Sequence, residues 1–140
     1  MNSNVAVNAG QDVSFHGTQV LIVEDIKVNQ LLMAKILEKL GCTTAFAFNG
    51  LEAIEKIKDA PYDIVFMDCQ MPILDGFEAT RRIRQAENID GSHAIIVALT
   101  ADAMIGDREK CLNAGMDDYL NKPFKPEQIA EIMKKWVARS

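Results

Sequence analysis

Apolar residues along the chain form two patterns: short continuous runs, and longer segments in which they recur at helical spacing. A continuous run such as the one over 19–25 is typical of a strand that is buried on both faces, as parallel strands usually are. Runs of this kind alternate with the helical segments along most of the chain. The predicted strands lie over 19–25, 43–48, 62–68, 94–101 and 116–122.

Each predicted strand is followed by a segment with helical spacing. The second of these segments begins at Asn49, with Glu52 three residues later as in a capping box. Five strand–helix units, written (βα)5, predict a single α/β domain: a parallel five-stranded sheet with helices on both faces. This pattern leaves the order of the strands open. The predicted helices lie over 28–41, 49–58, 75–87, 105–115 and 126–140.

Polar side chains stand at the carboxyl ends of four of the predicted strands. In an open parallel sheet, ligands bind outside these ends, because the strands all finish at the same edge. We therefore expect the polar side chains to converge on one site. They are Glu24 and Asp25 at the end of the first strand, Asp68 at the end of the third, Thr100 at the end of the fourth and Lys122 at the end of the fifth.

The residue types at this edge indicate phosphoryl chemistry. Carboxylates placed together repel each other unless a cation lies among them, and oxygen ligands without His or Cys suit Mg²⁺ (or Mn²⁺). The hydroxyl of Thr100 and the ammonium of Lys122 suit phosphoryl oxygens. The set predicts a site where an acyl phosphate forms on an aspartate. A single acid at a strand end, taken alone, is more often a helix cap. Asp75 differs from the strand-end acids: it precedes Gly76 and a predicted helix, and we interpret it as a cap.

Composition narrows the function classes. With 140 residues the chain is long enough for one domain with a core, and its net charge of −5 argues against direct nucleic-acid binding. Three widely spaced cysteines without a C-x-x-C motif disfavour a disulfide framework or a zinc site and favour a reducing cytoplasm. No apolar run approaches the roughly 18 residues of a membrane span.

We predict a flexible leader or linker remnant over 1–17 and the domain over 18–140.

Four segments together resemble the receiver domain of two-component response regulators. The resemblance extends from Thr18 to Arg139, and MDCQMPILDG with VNQ is most similar to receivers attached to hybrid sensor histidine kinases. It implies the flavodoxin-like strand order 2-1-3-4-5. The four segments are LIVEDIKVNQ, DIVFMDCQMPILDGFEATRRIR, IIVALTA and DDYLNKPF.

The resemblance implies a role for each acid at the site. Asp68 matches the phospho-accepting aspartate, and Glu24 with Asp25 matches the acidic pair that binds Mg²⁺ together with Asp68. The backbone carbonyl of Gln70 matches a further metal ligand. Gln70 and Asp102 occupy the positions that flank the phosphoryl group, so they are expected to tune the lifetime of the phosphorylated state.

The remaining matches concern the response to phosphorylation. Thr100 and Lys122 match the residues that contact the phosphoryl group, and Pro123 is expected to follow a cis peptide bond. Tyr119 matches the aromatic switch that turns inward when the threonine moves. One departure is Ile26, which stands where many members have Asn or Asp. The position is peripheral to the metal, so we expect no loss of function from it.

The expected function is a signalling switch rather than an enzyme. A sensor histidine kinase or a histidine phosphotransfer protein would donate its phosphoryl group to Asp68, and the only chemistry expected is self-catalysed phosphotransfer and autodephosphorylation. If the chain is an excised domain, its parent could be a hybrid histidine kinase. We expect a cytoplasmic location, or the cytoplasmic side of a membrane-bound parent, without membrane insertion by this segment. Phosphorylation-dependent dimerisation is left open.

Three alternatives compete with this interpretation. A phosphatase of the haloacid-dehalogenase kind would need a second Asp two residues after the first, where this chain has Gln70. A flavodoxin-like cofactor binder would need a loop rich in Ser, Thr or Gly after the first strand, where this chain has EDIKVN. A degenerate receiver that only binds proteins is disfavoured by the intact set of site residues.

Cys69 could have a redox role, although a small apolar filler is the favoured interpretation.

Overall fold

The computed structural model describes residues 15–101 and 106–137. Its described residues form five parallel strands in the order β2-β1-β3-β4-β5, which confirms the predicted topology. No helix among them has the length and apolar character required to cross a membrane. The strands are β1 (Gln19–Val23), β2 (Thr43–Ala47), β3 (Ile64–Asp68), β4 (Ile96–Thr100) and β5 (Asp118–Asn121).

A helix follows each strand, as predicted. The side chain of Asn49 caps the second helix by accepting the backbone N–H of Glu52 at 2.9 Å. The side chain of Asp75 caps the third in the same way, accepting the backbone N–H of Glu78 at 2.9 Å. Both cap predictions are confirmed. The helices are α1 (Lys27–Lys39), α2 (Gly50–Asp59), α3 (Gly76–Asp90), α4 (Asp107–Ala114) and α5 (Pro126–Trp136).

The two faces of the sheet are covered by different helices, which explains why the strands read as continuous apolar runs. Along β3, Ile64 and Phe66 pack into a core layer with α1 and α5. Val65 and Met67 point the other way, into a second layer with α2, α3 and α4. Every residue of β3 is buried as a result. Asp68, its last residue, is therefore held at the sheet edge by packing on both sides.

The packed part of the chain extends to Phe15, ahead of the predicted boundary at Thr18. The Phe15 side chain is buried in the first core layer, and its backbone N–H donates to the Leu40 carbonyl at 2.9 Å. This contact joins the segment before β1 to the end of α1. Residues 1–14 of the predicted leader lie outside the described residues, so the division at 17/18 stays a prediction.

Candidate functional site

The carboxyl ends of β1, β3, β4 and β5 bring the predicted residues together. Asp68 and Thr100 are the last residues of their strands, while Glu24 and Lys122 follow β1 and β5 directly. The edge contains a cavity of about 190 Å³. The cavity is lined by Asp25, Ile26, Asp68, Cys69, Gln70, Leu99, Thr100, Ala101 and Lys122.

Three carboxylates form the acidic part of the site. One oxygen from each of Glu24, Asp25 and Asp68 lies within 4.8 Å of the others, a cluster that could hold a metal ion. Glu24 is 2% exposed and Asp68 is 5% exposed, so neither charge is well solvated. Gln70 is exposed beside them, and its backbone N–H donates to Asp68 Oδ1 at 3.0 Å. The metal-binding role predicted for the Gln70 carbonyl stays a prediction.

Lys122 is the cation that faces these acids. Its Nζ lies 3.2 Å from Asp68 Oδ2 and 3.5 Å from Glu24 Oε1. Burial acts to lower the pKa of Lys122, but attraction to Asp68 and Glu24 together outweighs it, so the pKa is raised. The ammonium is therefore firmly charged and lies where it can contact an anion bound at Asp68.

One lysine does not neutralise the acidic cluster. The pKa of Glu24 is raised, first because the carboxyl is buried and also because the Asp68 charge repels it. The hydrogen bond that the Ile26 N–H donates to Glu24 and the attraction of Lys122 both lower this pKa, but they do not offset the effects that raise it. The ionised form of Glu24 is therefore held at a cost, and a divalent cation among the three oxygens would remove that cost.

Gln30 holds the acidic segment in place and was not predicted as a site residue. Its side chain is 2% exposed, and its Nε2–H donates to the Glu24 carbonyl at 2.7 Å. The Glu24 N–H in turn donates to the Ala47 carbonyl at 3.0 Å. The available signal was positional: Gln30 lies on the same helix face as Met33 and Leu37, where an amide needs a buried partner.

Thr100 ends β4 and Tyr119 lies in the neighbouring strand β5, so a movement of one side chain could affect the other. Thr100 is 2% exposed, and its carbonyl accepts the Lys122 N–H at 2.7 Å. Tyr119 is half-buried, and the guanidinium of Arg108 on α4 lies 5.6 Å from its ring centroid. The bond between Lys122 and Pro123 is cis, which confirms that prediction. Asp102 lies outside the described residues.

The turn after Asp68 is closed by Gly76 at the start of α3. The Gly76 N–H donates to the Cys69 carbonyl at 3.1 Å. A Cβ added at Gly76 would fall against the backbone carbonyl oxygen of Asp68, with Met67 Cγ only 2.9 Å away. Only glycine allows α3 to approach the strand this closely, so the position of Asp68 depends on it.

Comparisons with known proteins agree with this geometry. The family model described as the response regulator receiver domain matches residues 20–134. The chain is 43% identical over 127 residues to hybrid signal transduction histidine kinase B of Dictyostelium discoideum, covering 84% of this chain. It spans only 6% of that kinase, so the activity of the whole kinase does not follow from the match.

Two solved structures are similar in both sequence and shape. One is a receiver domain of a Pseudomonas aeruginosa sensor histidine kinase with a magnesium ion in its active-site cleft. It is 45% identical with a TM-score of 0.78, covering 86% of this chain and 97% of that chain. The other is the Saccharomyces cerevisiae receiver domain of Ssk1 bound to the histidine phosphotransfer protein Ypd1. It is 38% identical with a TM-score of 0.82, covering 87% and 90%. With its strand order and converging acids, the chain belongs to the response regulator receiver domain family.

Proposed function

We propose that this receiver domain accepts a phosphoryl group from a phosphohistidine onto Asp68 in the presence of Mg²⁺. The observation that carries the proposal is the convergence of three carboxylates with Lys122 and Thr100 in one cavity. The same convergence disfavours a degenerate receiver, because a module that only binds proteins has no need for it.

The ligands proposed for Mg²⁺ or Mn²⁺ are Glu24, Asp25, Asp68 and the backbone carbonyl of Gln70. The raised pKa of Glu24 supports this set, because the cluster carries more negative charge than Lys122 offsets. When bound, the cation would shield the approach of an anionic donor to the Asp68 carboxylate. A bound cation would also explain why three carboxylates lie close together at one edge of the sheet.

The chain's own residues then have distinct roles in the transfer. An Asp68 carboxylate oxygen forms the new bond to phosphorus, the bond from phosphorus to the donor imidazole nitrogen breaks, and its electron pair stays on that nitrogen. Lys122, already 3.2 Å from Asp68, would hold a phosphoryl oxygen, and Thr100 would donate its hydroxyl to another. Gln70 and Asp102 would govern how water later reaches the acyl phosphate.

Signalling would follow from a change in the Thr100–Tyr119 pair. Drawing Thr100 towards the phosphoryl group leaves space that Tyr119 can occupy, and this shifts the equilibrium between two conformations. Arg108, which lies over the Tyr119 ring, would carry the change to α4. We propose that the domain works as a switch in the cytoplasm, or on the cytoplasmic side of a parent kinase, and performs only self-catalysed phosphotransfer and dephosphorylation.

Intact-mass measurement tests this function directly. The chain is incubated with acetyl phosphate, a small acyl-phosphate donor, with Mg²⁺ or with a chelator. We expect one added phosphoryl group that requires the divalent cation. No addition with Mg²⁺ or Mn²⁺ would overturn the proposal and favour the degenerate module. Release of free phosphate from simple phosphate esters over many turnovers would favour the phosphatase.

Exposed apolar side chains beside the site identify where a protein donor would dock. The α1 patch consists of Ile26, Val28, Leu31 and Leu32, each at least half exposed. Leu32 also lines a groove of about 500 Å³ that reaches Lys122. Apolar patches that adjoin a reaction site are typical of protein contacts. A histidine phosphotransfer protein seated there would bring its phosphohistidine to the cavity.

Leu32→Glu is expected to separate protein donors from small ones. A charge placed in the docked face should slow transfer from a histidine phosphotransfer protein about tenfold or more. The acetyl phosphate reaction should stay unchanged, because that donor needs no docking surface. Leu51→Glu, at a similarly exposed position on α2, is the control. Equal slowing with both donors would contradict the docking role and indicate damage to the site itself.

Lys122→Met is expected to bind Mg²⁺ more tightly than the unmodified chain. Removing an ammonium 3.2 Å from Asp68 leaves the acids without their nearest cation. A gain of about tenfold in affinity corresponds to about 1.4 kcal/mol. Calorimetric titration with Mg²⁺ measures it, with Lys58→Met on α2 as a control for the change in net charge. A weaker affinity in Lys122→Met would mean that the lysine organises the acids rather than competing with the metal.

A further inference from the structure

Two cysteines behind the phosphorylation site lie in contact. The Sγ atoms of Cys69 and Cys111 are 3.8 Å apart, and both residues are buried, at 1% and 0% exposure. Cys69 follows Asp68 directly in the chain, while Cys111 belongs to α4. No disulfide joins them; both are present as thiols. The pair therefore links the acceptor strand to a helix that carries part of the proposed response.

We propose that Cys69 and Cys111 form a peroxide-sensitive disulfide site that restrains α4. One thiol, as its thiolate, attacks hydrogen peroxide, so that the O–O bond breaks and a sulfenic acid and water are produced. The second thiol attacks the sulfenyl sulfur, so that an S–S bond forms and a second water leaves. Overall, two thiols are oxidised by two electrons and one peroxide is reduced to two waters.

The geometry favours this pair over the third cysteine. The sulfur separation has to shorten from 3.8 Å to about 2.05 Å, a small displacement for one helix against a strand end. Cys69 lines the cavity of about 190 Å³ at Asp68, which gives a small oxidant a route towards the pair. Cys42 lies in the other core layer, and burial together with the nearby Asp63 charge raises its pKa to about 11.

The disulfide would oppose the response to phosphorylation, an effect that rests on the proposed function. The sulfurs are already in contact in this conformation, so closing the bond opposes movement of α4 away from the end of β3. We therefore expect the oxidised chain to accept a phosphoryl group at Asp68 several-fold more slowly. A reductant should restore the rate.

Mass spectrometry under native conditions tests the site. The Cys42→Ala chain retains the pair, and the Cys69→Ala chain lacks it; alanine avoids burying an unsatisfied hydroxyl. After peroxide treatment and alkylation of the unfolded chain, Cys42→Ala should lose two hydrogen atoms and take up no alkyl group until it is reduced. Cys69→Ala should show no such protection. Alkylatable thiols throughout, or added oxygen in place of lost hydrogen, would overturn the proposal.

Phosphorylation of the reduced and oxidised Cys42→Ala chain by acetyl phosphate tests the restraint. Slower addition in the oxidised form, recovered with dithiothreitol, is the expected result, and equal rates would overturn the restraint. If the reduced chain accepts no phosphoryl group, the proposed function fails, while the disulfide is still decided by mass. The two failures are therefore distinguishable.

Discussion

Asp68→Asn is expected to gain no phosphoryl group under conditions that fully modify the unmodified chain. The carboxamide has nearly the same volume as the carboxylate but offers no anionic oxygen to attack phosphorus. Loss of a nucleophile that no neighbour replaces lowers such rates by at least about 10³-fold. Intact mass after incubation with acetyl phosphate and Mg²⁺ gives the result directly, and a phosphohistidine donor should give the same answer.

Asp75→Asn is the matched control for this prediction. The chemical change is the same and the residue lies in the same turn, but the Asp75 side chain only caps α3 through the Glu78 N–H. Asparagine is an equally good cap, so stability should change little and phosphorylation should stay complete. If Asp68→Asn were modified as fast as Asp75→Asn, the acceptor would have to be another residue, and the proposed function would lose its nucleophile.

The sequence predicted the sheet and the converging residues because both follow from local patterns. A strand buried on both faces has to be apolar throughout, and β3 is. Parallel strands finish at one edge, so Asp68, Thr100 and Lys122 had to meet once their strands were recognised. The caps at Asn49 and Asp75 were equally local, since each bonds a backbone N–H three residues later. The strand order was different: it came from the family resemblance alone.

The features that could not be predicted depend on distances between segments far apart in the chain. Gln30 bonds the Glu24 and Ala47 carbonyls only because α1 packs across the ends of β1 and β2. Phe15 is buried only because α1 ends beside it, as its bond to the Leu40 carbonyl shows. A contact such as that of Cys69 with Cys111, at a sequence separation of 42, is likewise decided by three-dimensional packing. Composition and periodicity do not encode these distances.

Gly76→Ala is expected to destabilise the domain by about 3 kcal/mol, although the position is helical. Alanine in place of glycine inside a helix normally stabilises it by about 0.5–1 kcal/mol. Here the added Cβ would meet the Asp68 carbonyl oxygen, a backbone atom at the end of a buried strand, as well as Met67 Cγ. Alanine is therefore expected to destabilise the domain instead of stabilising it, because β3 and α3 cannot move apart without disturbing the packing of the core. Urea unfolding measures the change.

Gly91→Ala separates this close approach from ordinary glycine strain. Gly91 has φ +80° after α3, and a Cβ there would meet nothing within 4 Å. Its cost should be only the left-handed backbone conformation, about 1–2 kcal/mol, with the site unaffected. Gly76→Ala should cost more and should also slow phosphorylation of the folded chain, because the displaced strand end carries Asp68. If Gly76→Ala proved as stable as the unmodified chain, α3 would be able to move away from β3, and the turn would not be what holds the Asp68 carboxylate in place.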